Sequence, residues 1–173
     1  MILDGELMFD PNPTSVAIAA GTQASTNIID LHMAGIPTLA ANQGARDIGI
    51  GHYELKILVQ TVVAFASAGS TGTIQVAIQG APDNGSGVPG TYVTMATGPS
   101  YVVPIIGTRL MDHDMPRPKD GNLPRFLRLL YTVAVQTMTA GSVASFLVLD
   151  RFDQPSQAAG YVGAYPAGLT VSN

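Results

Sequence analysis

Two long stretches of this chain contain no charged residue, and a polar turn breaks each of them near its middle. The first lies between Lys56 and Asp83 and the second between Arg128 and Asp150. Each is long enough to span a bilayer, which takes about 20 residues. However, small polar residues and glycines interrupt them at residues 67–72 and 136–142, and such residues are typical of a turn between buried strands. We therefore expect two hairpins of buried strands, no membrane helix and a soluble protein.

Strand-like alternation accounts for most of the remaining pattern. Between residues 53 and 66, apolar Ile57 and Val59 alternate with polar Lys56 and Gln60, which is typical of a strand with one buried face. No stretch of ten residues shows the apolar stripe of an amphipathic helix. Further strands are predicted at residues 73–79, 125–136 and 142–150, and shorter ones at 25–33, 91–96, 101–106 and 108–111. About eight short strands predict an all-β sandwich or barrel.

Composition excludes several functional classes. Charged residues make up only 12% of the chain and the net charge is −4, so no positive field attracts nucleic acid. The chain has no cysteine, which excludes disulfides, thiolate nucleophiles and Cys-ligated metal sites. A surface this poor in charge suits permanent contact with other protein, because obligate interfaces are more apolar than free surface.

The chain of 173 residues has the size of one domain. We predict an N-terminal arm with the first strand at residues 1–24, a β-sandwich at 25–151 and a C-terminal arm at 152–173. Both ends are rich in Gly, Ala, Pro and Ser, yet the tail retains Tyr161 and Tyr165. One interpretation is an arm that lies on a neighbouring subunit, and the other is a poorly ordered terminus. The first charges are acidic, so we expect no secretory signal peptide.

Histidines and paired carboxylates do not form a recognisable catalytic or metal-binding motif. His52 and His113 lie near acidic residues, but a metal site needs three or four converging ligands. Asp112 and Asp114 have the spacing of a carboxylate pair, but a glycosidase pair also needs a cleft and a raised pKa on one partner. The Gly-x-Gly-x-x-Gly pattern at residues 85–90 precedes a predicted strand rather than a helix, so it does not indicate a dinucleotide site. We expect no enzymatic activity, no cofactor and no metal.

Basic residues are concentrated in one segment. Five of the eight bases fall between residues 109 and 128: Arg109, Arg117, Lys119, Arg125 and Arg128. One interpretation is a basic rim that docks on an acidic protein partner, and the other is a solvated loop balanced by its own aspartates. Nucleic acid is the weaker partner, since we expect the nearby Phe126 and Tyr131 to face the core rather than to stack on bases.

Several segments, taken in order and spacing, resemble the capsid cement, or decoration, proteins of tailed bacteriophages of the Bordetella-phage type. The resemblance covers residues 1 to about 150, and the tail beyond Asp150 is longer than that family leads us to expect. The segments are MILD at 1–4, STNIIDL at 25–31, RDIGIG at 46–51, LKILVQ at 55–60, GTRL at 107–110, PRFLRL at 124–129, YTV at 131–133, TAG at 139–141 and LVLD at 147–150.

This resemblance implies a jelly-roll sandwich that binds the outer surface of an assembled capsid. Such a protein bridges neighbouring major capsid proteins, associates with itself as a dimer or trimer, and lies in the host cytoplasm before assembly. It contacts neither nucleic acid nor membrane directly. We predict that the capsid or subunit contacts include Met1, Ile2, Leu3, Arg109, Arg117, Lys119, Arg125, Tyr161 and Tyr165.

Two other functional classes remain as alternatives. A glycan-binding jelly-roll module of a phage tail or fibre needs exposed aromatic rings, yet the chain has no Trp and aromatic residues total 6%. A cupin-like enzyme needs a His-x-His pair, which the chain lacks.

Overall fold

Strands make up most of the chain that the computed structural model describes, which comprises residues 7–15, 21–31, 55–116 and 124–149. Between two of the strands lies a 3-10 turn, Ala68–Ser70. The strands are β1 (Met8–Ser15), β2 (Gly21–Ala24), β3 (Ile29–Asp30), β4 (Leu55–Ser67), β5 (Thr73–Ala81), β6 (Val93–Val102), β7 (Arg109–Asp114), β8 (Phe126–Ala134) and β9 (Met138–Leu149).

The strands form two antiparallel sheets. The first sheet has the order β1-β9-β4-β7, and the second has the order β2-β8-β5-β6, with β3 also paired to β8. Early strands pair with late strands in reverse order: β1 with β9, β2 and β3 with β8, β4 with β7, and β5 with β6. A two-stranded ribbon rolled in this way into two facing sheets is a jelly roll. The expected all-β, jelly-roll-like sandwich is therefore confirmed.

Strands β2 and β3 are two parts of one interrupted strand along β8. Ser25 continues the ladder from β2, because its amide donates to the Leu129 carbonyl at 2.9 Å. The chain then leaves β8 and reaches β1, where the Asn27 amide donates to the Phe9 carbonyl at 2.8 Å. It returns at Ile29, which pairs with Leu127. Counted this way, the nine strands correspond to the eight of a jelly roll.

The two predicted hairpins are wrong, because their strands lie in different sheets. The turn after Ser67 joins β4 of the first sheet to β5 of the second, and residues 135–137 join β8 to β9 in the same manner. The Gly72 amide donates to the Ser67 hydroxyl at 2.8 Å and closes the first connection. Small polar residues mark a reversal of the chain but do not specify whether the next strand joins the same sheet or the opposite one.

Strand β6 is continuous where two short strands at residues 91–96 and 101–106 were predicted. Pro99 lies within it, and the register against β5 shifts between the Gln75–Ser100 and Ala77–Thr97 pairs. That shift leaves one extra residue on β6, which is a β-bulge. Since β6 is the edge strand of its sheet, its proline removes no ladder hydrogen bond from a central position.

Part of the predicted N-terminal arm belongs to the sandwich. Residues 8–15 form β1 at the edge of the first sheet, and residues 21–24 form β2. Residues 1–6 and 16–20 of the predicted arm, and the predicted C-terminal arm at 152–173, lie outside the described residues.

The core lies between the two sheets and is made of aliphatic and aromatic side chains from both. Ile57 and Val59 of β4 face Leu129 and Tyr131 of β8 across it, and all four are at most 1% exposed. Leu58 of β4 is also buried although it lies on the polar parity, so the predicted single buried face is too simple. Gly141 leaves room for the ring of Phe65, because a Cβ there would lie 2.3 Å from Phe65 Cδ1.

Candidate interaction surfaces

Arg125, a predicted contact residue, forms an ion pair with two carboxylates of its own chain. Its Nε and Nη2 atoms donate to the two carboxylate oxygens of Asp30, each at 3.0 Å, and Nη1 donates to Asp83 Oδ2. The Arg125 side chain is only 12% exposed. A guanidinium fork that is filled on both sides ties the start of β8 to β3 and to the loop at residues 82–92. Arg125 therefore has its ion-pair partners within its own chain.

The loop after β5 is held by Asp83. Its Oδ1 accepts the amides of Gly85 and Gly87 at 2.8 and 2.9 Å. Burial raises the pKa of Asp83, but those two amides and the charge of Arg125 outweigh it, so the pKa lies below its ordinary value. Asp83 is therefore an ionised anchor between the loop and Arg125.

Arg128 also acts within the chain. Its guanidinium carbon lies 3.6 Å from the centroid of the Tyr92 ring, and its Nε donates to Gln79 Oε1 at 2.9 Å. Burial raises the pKa of Tyr92, and Arg128 opposes that rise. This cation–π pair covers a face of the Tyr92 ring that a sugar would otherwise stack on.

The Asp112-His113-Asp114 sequence of β7 does not form one cluster, because the two aspartates pair with different basic residues. Arg109 Nη1 donates to Asp112 Oδ2 at 3.0 Å, and Lys56 Nζ donates to Asp114 Oδ1 at 2.5 Å. His113 Nδ1 lies 2.8 Å from the Asp114 carbonyl oxygen. In the described ranges, no three His, Cys, Asp or Glu side chains come together in a way that would hold a metal ion.

The other predicted contact residues fall outside the described ranges. They are Met1, Ile2, Leu3, Arg117, Lys119, Tyr161 and Tyr165. The expectation that Phe126 and Tyr131 face the core is confirmed, since they are 4% and 1% exposed.

Sequence reasoning missed a cluster of exposed apolar side chains at one end of the sandwich, which we call the apolar end. Three connections between sheets meet there: residues 68–72, 103–108 and 135–137. They lie side by side because Thr73 pairs with both Val102 and Ala134, and because the Gly72 carbonyl accepts the Val103 amide at 3.0 Å. The large exposed side chains of the apolar end are Val63, Val102, Ile105, Ile106 and Val135, which are 52% to 71% exposed.

The three connections of the apolar end also contain no charged residue, and their backbone is strained. None of its three connections contains an Asp, Glu, Lys or Arg. The described non-glycine residues with a positive φ are Ser70 (52°), Val103 (40°) and Val135 (69°), one in each connection. A β-branched residue in this region costs about 1–3 kcal/mol and persists where something compensates the strain. Val135 is 70% exposed, so burial within this chain does not provide that compensation.

A second missed feature is a polar cluster inside the core. Asp10 Oδ2 accepts the hydroxyl of Tyr131 at 2.5 Å and that of Ser145 at 2.6 Å, and Oδ1 accepts the Thr26 amide at 2.9 Å. Burial, followed by the charge and hydrogen bond of Asp10, raises the pKa of Tyr131 well above its ordinary value. All three side chains are at most 5% exposed, so the cluster is a buried link between β1, β8 and β9.

The segment of the chain that forms the sandwich is also the segment that matches a known protein family. A family model described as Bbp16 matches residues 14–147. The chain belongs to the Bbp16 family. That family is one of Bordetella phage proteins, which agrees with the Bordetella-phage part of the expected resemblance. No curated protein matches the chain. In the part of the Bbp16-family chain that the structure describes, no helix is long and apolar enough to cross a membrane.

Proposed function

We propose that this Bbp16-family protein is a structural virion protein that decorates the assembled capsid. It binds the outer surface of the shell as cement, bridges neighbouring major capsid proteins and has no enzymatic role. It occupies the host cytoplasm before assembly and contacts neither membrane nor nucleic acid directly. Membership of a Bordetella phage family and the jelly-roll fold support this function. The jelly-roll fold hosts many functions, so the fold alone does not identify this one, and the surface residues are considered next.

The phage family supports the virion role, and the apolar end supports the self-association that this role includes. Contiguous exposed apolar side chains on a soluble domain mark a contact with another molecule. Here they coincide with backbone strain at Val135, which is 70% exposed, so burial within the isolated chain does not offset it. A partner that buries these side chains would provide the missing stabilisation, since burying one Val or Ile side chain gains about 1.5–3 kcal/mol.

We propose that the occupant of the apolar end is a second copy of this chain. Each copy carries a net charge of −4, so self-contact through a charged surface would bring like charges together. The apolar end avoids this repulsion because its three connections contain no ionisable acid or base. In a dimer or a trimer, contact around a symmetry axis reuses the apolar end of every subunit, which buries Ile105 and Ile106 against the apolar end of another copy.

We propose that shell contacts come from other parts of the chain. Of the basic residues expected to dock on the shell, Arg109 and Arg125 have partners within the chain, which leaves Arg117 and Lys119 as the proposed charged contacts. The N-terminal Met1, Ile2 and Leu3 and the C-terminal tyrosines are the proposed uncharged contacts. A dimer that binds a rigid lattice through several weak contacts gains affinity by effective concentration.

The decisive experiment is cosedimentation of the full-length protein with purified shells of the phage that encodes it. We expect saturable binding, with a fixed number of copies per major capsid protein. Substitution of Arg117 and Lys119 together by Glu should weaken binding, and more strongly at low salt because exposed charges are screened at high salt. Protein that stays in the supernatant at every shell concentration would refute the cement role.

Self-association is tested separately by size exclusion with light scattering. The double substitution Ile105→Asp and Ile106→Asp should weaken the dimer by at least about a hundredfold, since each isoleucine contributes about 1.5–3 kcal/mol on burial. Val93→Asp is the matched control, because Val93 is 64% exposed at the opposite end of β6. A monomeric wild type, or equal losses in both variants, would show that the apolar end is not the subunit contact.

The described aromatic residues give the glycan-binding alternative little support. Phe9, Phe65, Phe126 and Tyr131 are buried, and Arg128 covers one face of the Tyr92 ring. Tyr101 and Phe146 are half-buried.

A further inference from the structure

The loop between β5 and β6 carries an Asn-Gly pair, which is the dipeptide most prone to spontaneous deamidation. Asn84 and Gly85 are both exposed, so water reaches them freely. Glycine has no side chain to hinder attack by its own amide nitrogen. We propose that Asn84 is a deamidation site whose reaction is slow in the folded protein, because Asp83, held in place by Arg125, restrains the Gly85 amide.

The reaction that the loop restrains is an intramolecular ring closure. The Gly85 amide nitrogen loses its proton to water or hydroxide and forms a bond to Asn84 Cγ. The Cγ–Nδ2 bond breaks, and ammonia leaves with a proton from solvent. Water then opens the succinimide at either carbonyl to give aspartate or isoaspartate. The net reaction consumes one water and releases one ammonia, so solvent is the only co-reactant.

Hydrogen bonds engage the groups that take part in this reaction. The Gly85 amide, which is the nucleophile, donates to Asp83 Oδ1 at 2.8 Å. The Asn84 side-chain carbonyl, which is the electrophile, accepts the Ser86 amide at 2.9 Å. The Asn84 amide donates to the Val88 carbonyl at 3.0 Å and closes the loop. Loss of the Gly85 amide proton, which the attack needs, therefore requires the Gly85–Asp83 bond to break.

Asp83 acts as a restraint here and not as a base. A carboxylate beside an amide proton could in principle accept it and speed the attack. The amides of Gly85 and Gly87 and the charge of Arg125 lower the pKa of Asp83, however, which makes it a still weaker proton acceptor. Arg125 also fixes the position of Asp83, because Nη1 holds Oδ2 while Oδ1 faces the loop.

Deamidation would have a structural consequence at this position. It adds one negative charge directly beside Asp83, and isoaspartate also adds a methylene group to the backbone. The extra charge would repel Asp83, which pairs with Arg125. The protection of Asn84 thus extends the lifetime of the contact between this loop and β8.

The test measures deamidation at Asn84 in the full-length protein by peptide mapping after incubation at 37 °C and mildly alkaline pH. The reference is a free peptide with the sequence of residues 82–90, which contains the same Asn-Gly pair without the fold. We expect the folded wild type to react about tenfold to a hundredfold more slowly, which is the factor for breaking charge-assisted hydrogen bonds first. Asp83→Ala should approach the peptide rate, and Asp114→Ala, which removes an exposed carboxylate elsewhere, should keep the wild-type rate.

Two results would overturn the proposal. A wild-type rate equal to that of the peptide would show that the fold gives no protection. An Asp83→Ala rate equal to or below the wild-type rate would show that Asp83 is not the restraint. If Asp83→Ala does not fold, the wild-type protein in urea replaces it, and an unchanged Asn84 rate on unfolding would contradict the proposal.

Discussion

Removal of the Tyr131 hydroxyl tests whether the polar cluster in the core stabilises the sandwich. Tyr131→Phe keeps the ring, which is 1% exposed, and deletes one oxygen atom. That oxygen donates to Asp10 Oδ2 at 2.5 Å, and its loss leaves the buried carboxyl with fewer donors. We expect the free energy of unfolding to fall by about 2 kcal/mol, which is typical of an interior polar group deprived of a partner.

The chain offers a matched control in Tyr92. Its hydroxyl is buried and has no hydrogen-bond partner among the described residues. Tyr92→Phe deletes the same atom without breaking a bond, and a phenyl ring can still hold Arg128 by its face. We therefore expect this variant to be as stable as wild type or slightly more stable.

Urea denaturation followed by circular dichroism measures both variants, and a thermal melt should show a decrease in Tm of roughly 4–8 °C for Tyr131→Phe alone. Ser145→Ala extends the test, because Ser145 donates to the same Asp10 oxygen at 2.6 Å. The double variant should lose more than the sum of the singles, since each single variant leaves Asp10 Oδ2 one hydroxyl donor. Equal stability of Tyr131→Phe and Tyr92→Phe, or strict additivity with Ser145→Ala, would refute this account of the cluster.

Three further perturbations follow from other contacts. The raised pKa of Tyr131 stabilises the folded state, and this contribution is complete below pH about 10, the pKa of tyrosine in the unfolded chain. The free energy of unfolding should therefore fall as the pH rises above about 10. It should fall less in Tyr131→Phe, when urea denaturation of both proteins is followed at a series of pH values. The lowered pKa of Asp83 acts in the opposite direction, so its contribution should be present above about pH 4 and disappear in acid, and Asp83→Asn should flatten the acid limb of a stability–pH curve. Gly141→Ala should lower unfolding free energy by about 2–4 kcal/mol in urea, because its Cβ would meet Phe65 at a positive φ, whereas Gly21→Ala has similar φ and open space and should cost clearly less.

Local pattern predicted the strands well where the chain alternates. The segments predicted at 73–79 and 125–136 correspond to β5 and β8, whose inward positions include Ile74, Leu129 and Val133. Alternation fails to assign a strand to a sheet, because side-chain parity repeats identically in either sheet. This is why the connections at 68–72 and 135–137 were interpreted as hairpins.

The candidate surfaces could be predicted only in part, because their residues come from distant parts of the chain. Arg125 is visible in the sequence as a basic residue, but its partners Asp30 and Asp83 lie in two other elements. Tyr131 lies at an inward position of β8 and needs a hydrogen-bond partner, yet no local signal points to Asp10. The exposure of Ile105 and Val135 depends on how three connections meet at one end, which is a property of topology.

The pairing of β1 with β9 has a consequence for the order of folding. Met8 lies opposite Phe146, so this edge of the first sheet closes only after nearly the whole chain is available. During synthesis the ribosome releases β5 and β6 early enough to pair with each other, but β1 has no strand partner until residues 138–149 emerge. Contacts so distant in sequence close slowly, on a scale of milliseconds to seconds for sandwiches of this kind. Among the described strands, the one made last therefore completes the edge that begins with β1, and a chain stopped before β9 leaves β1 without this pairing.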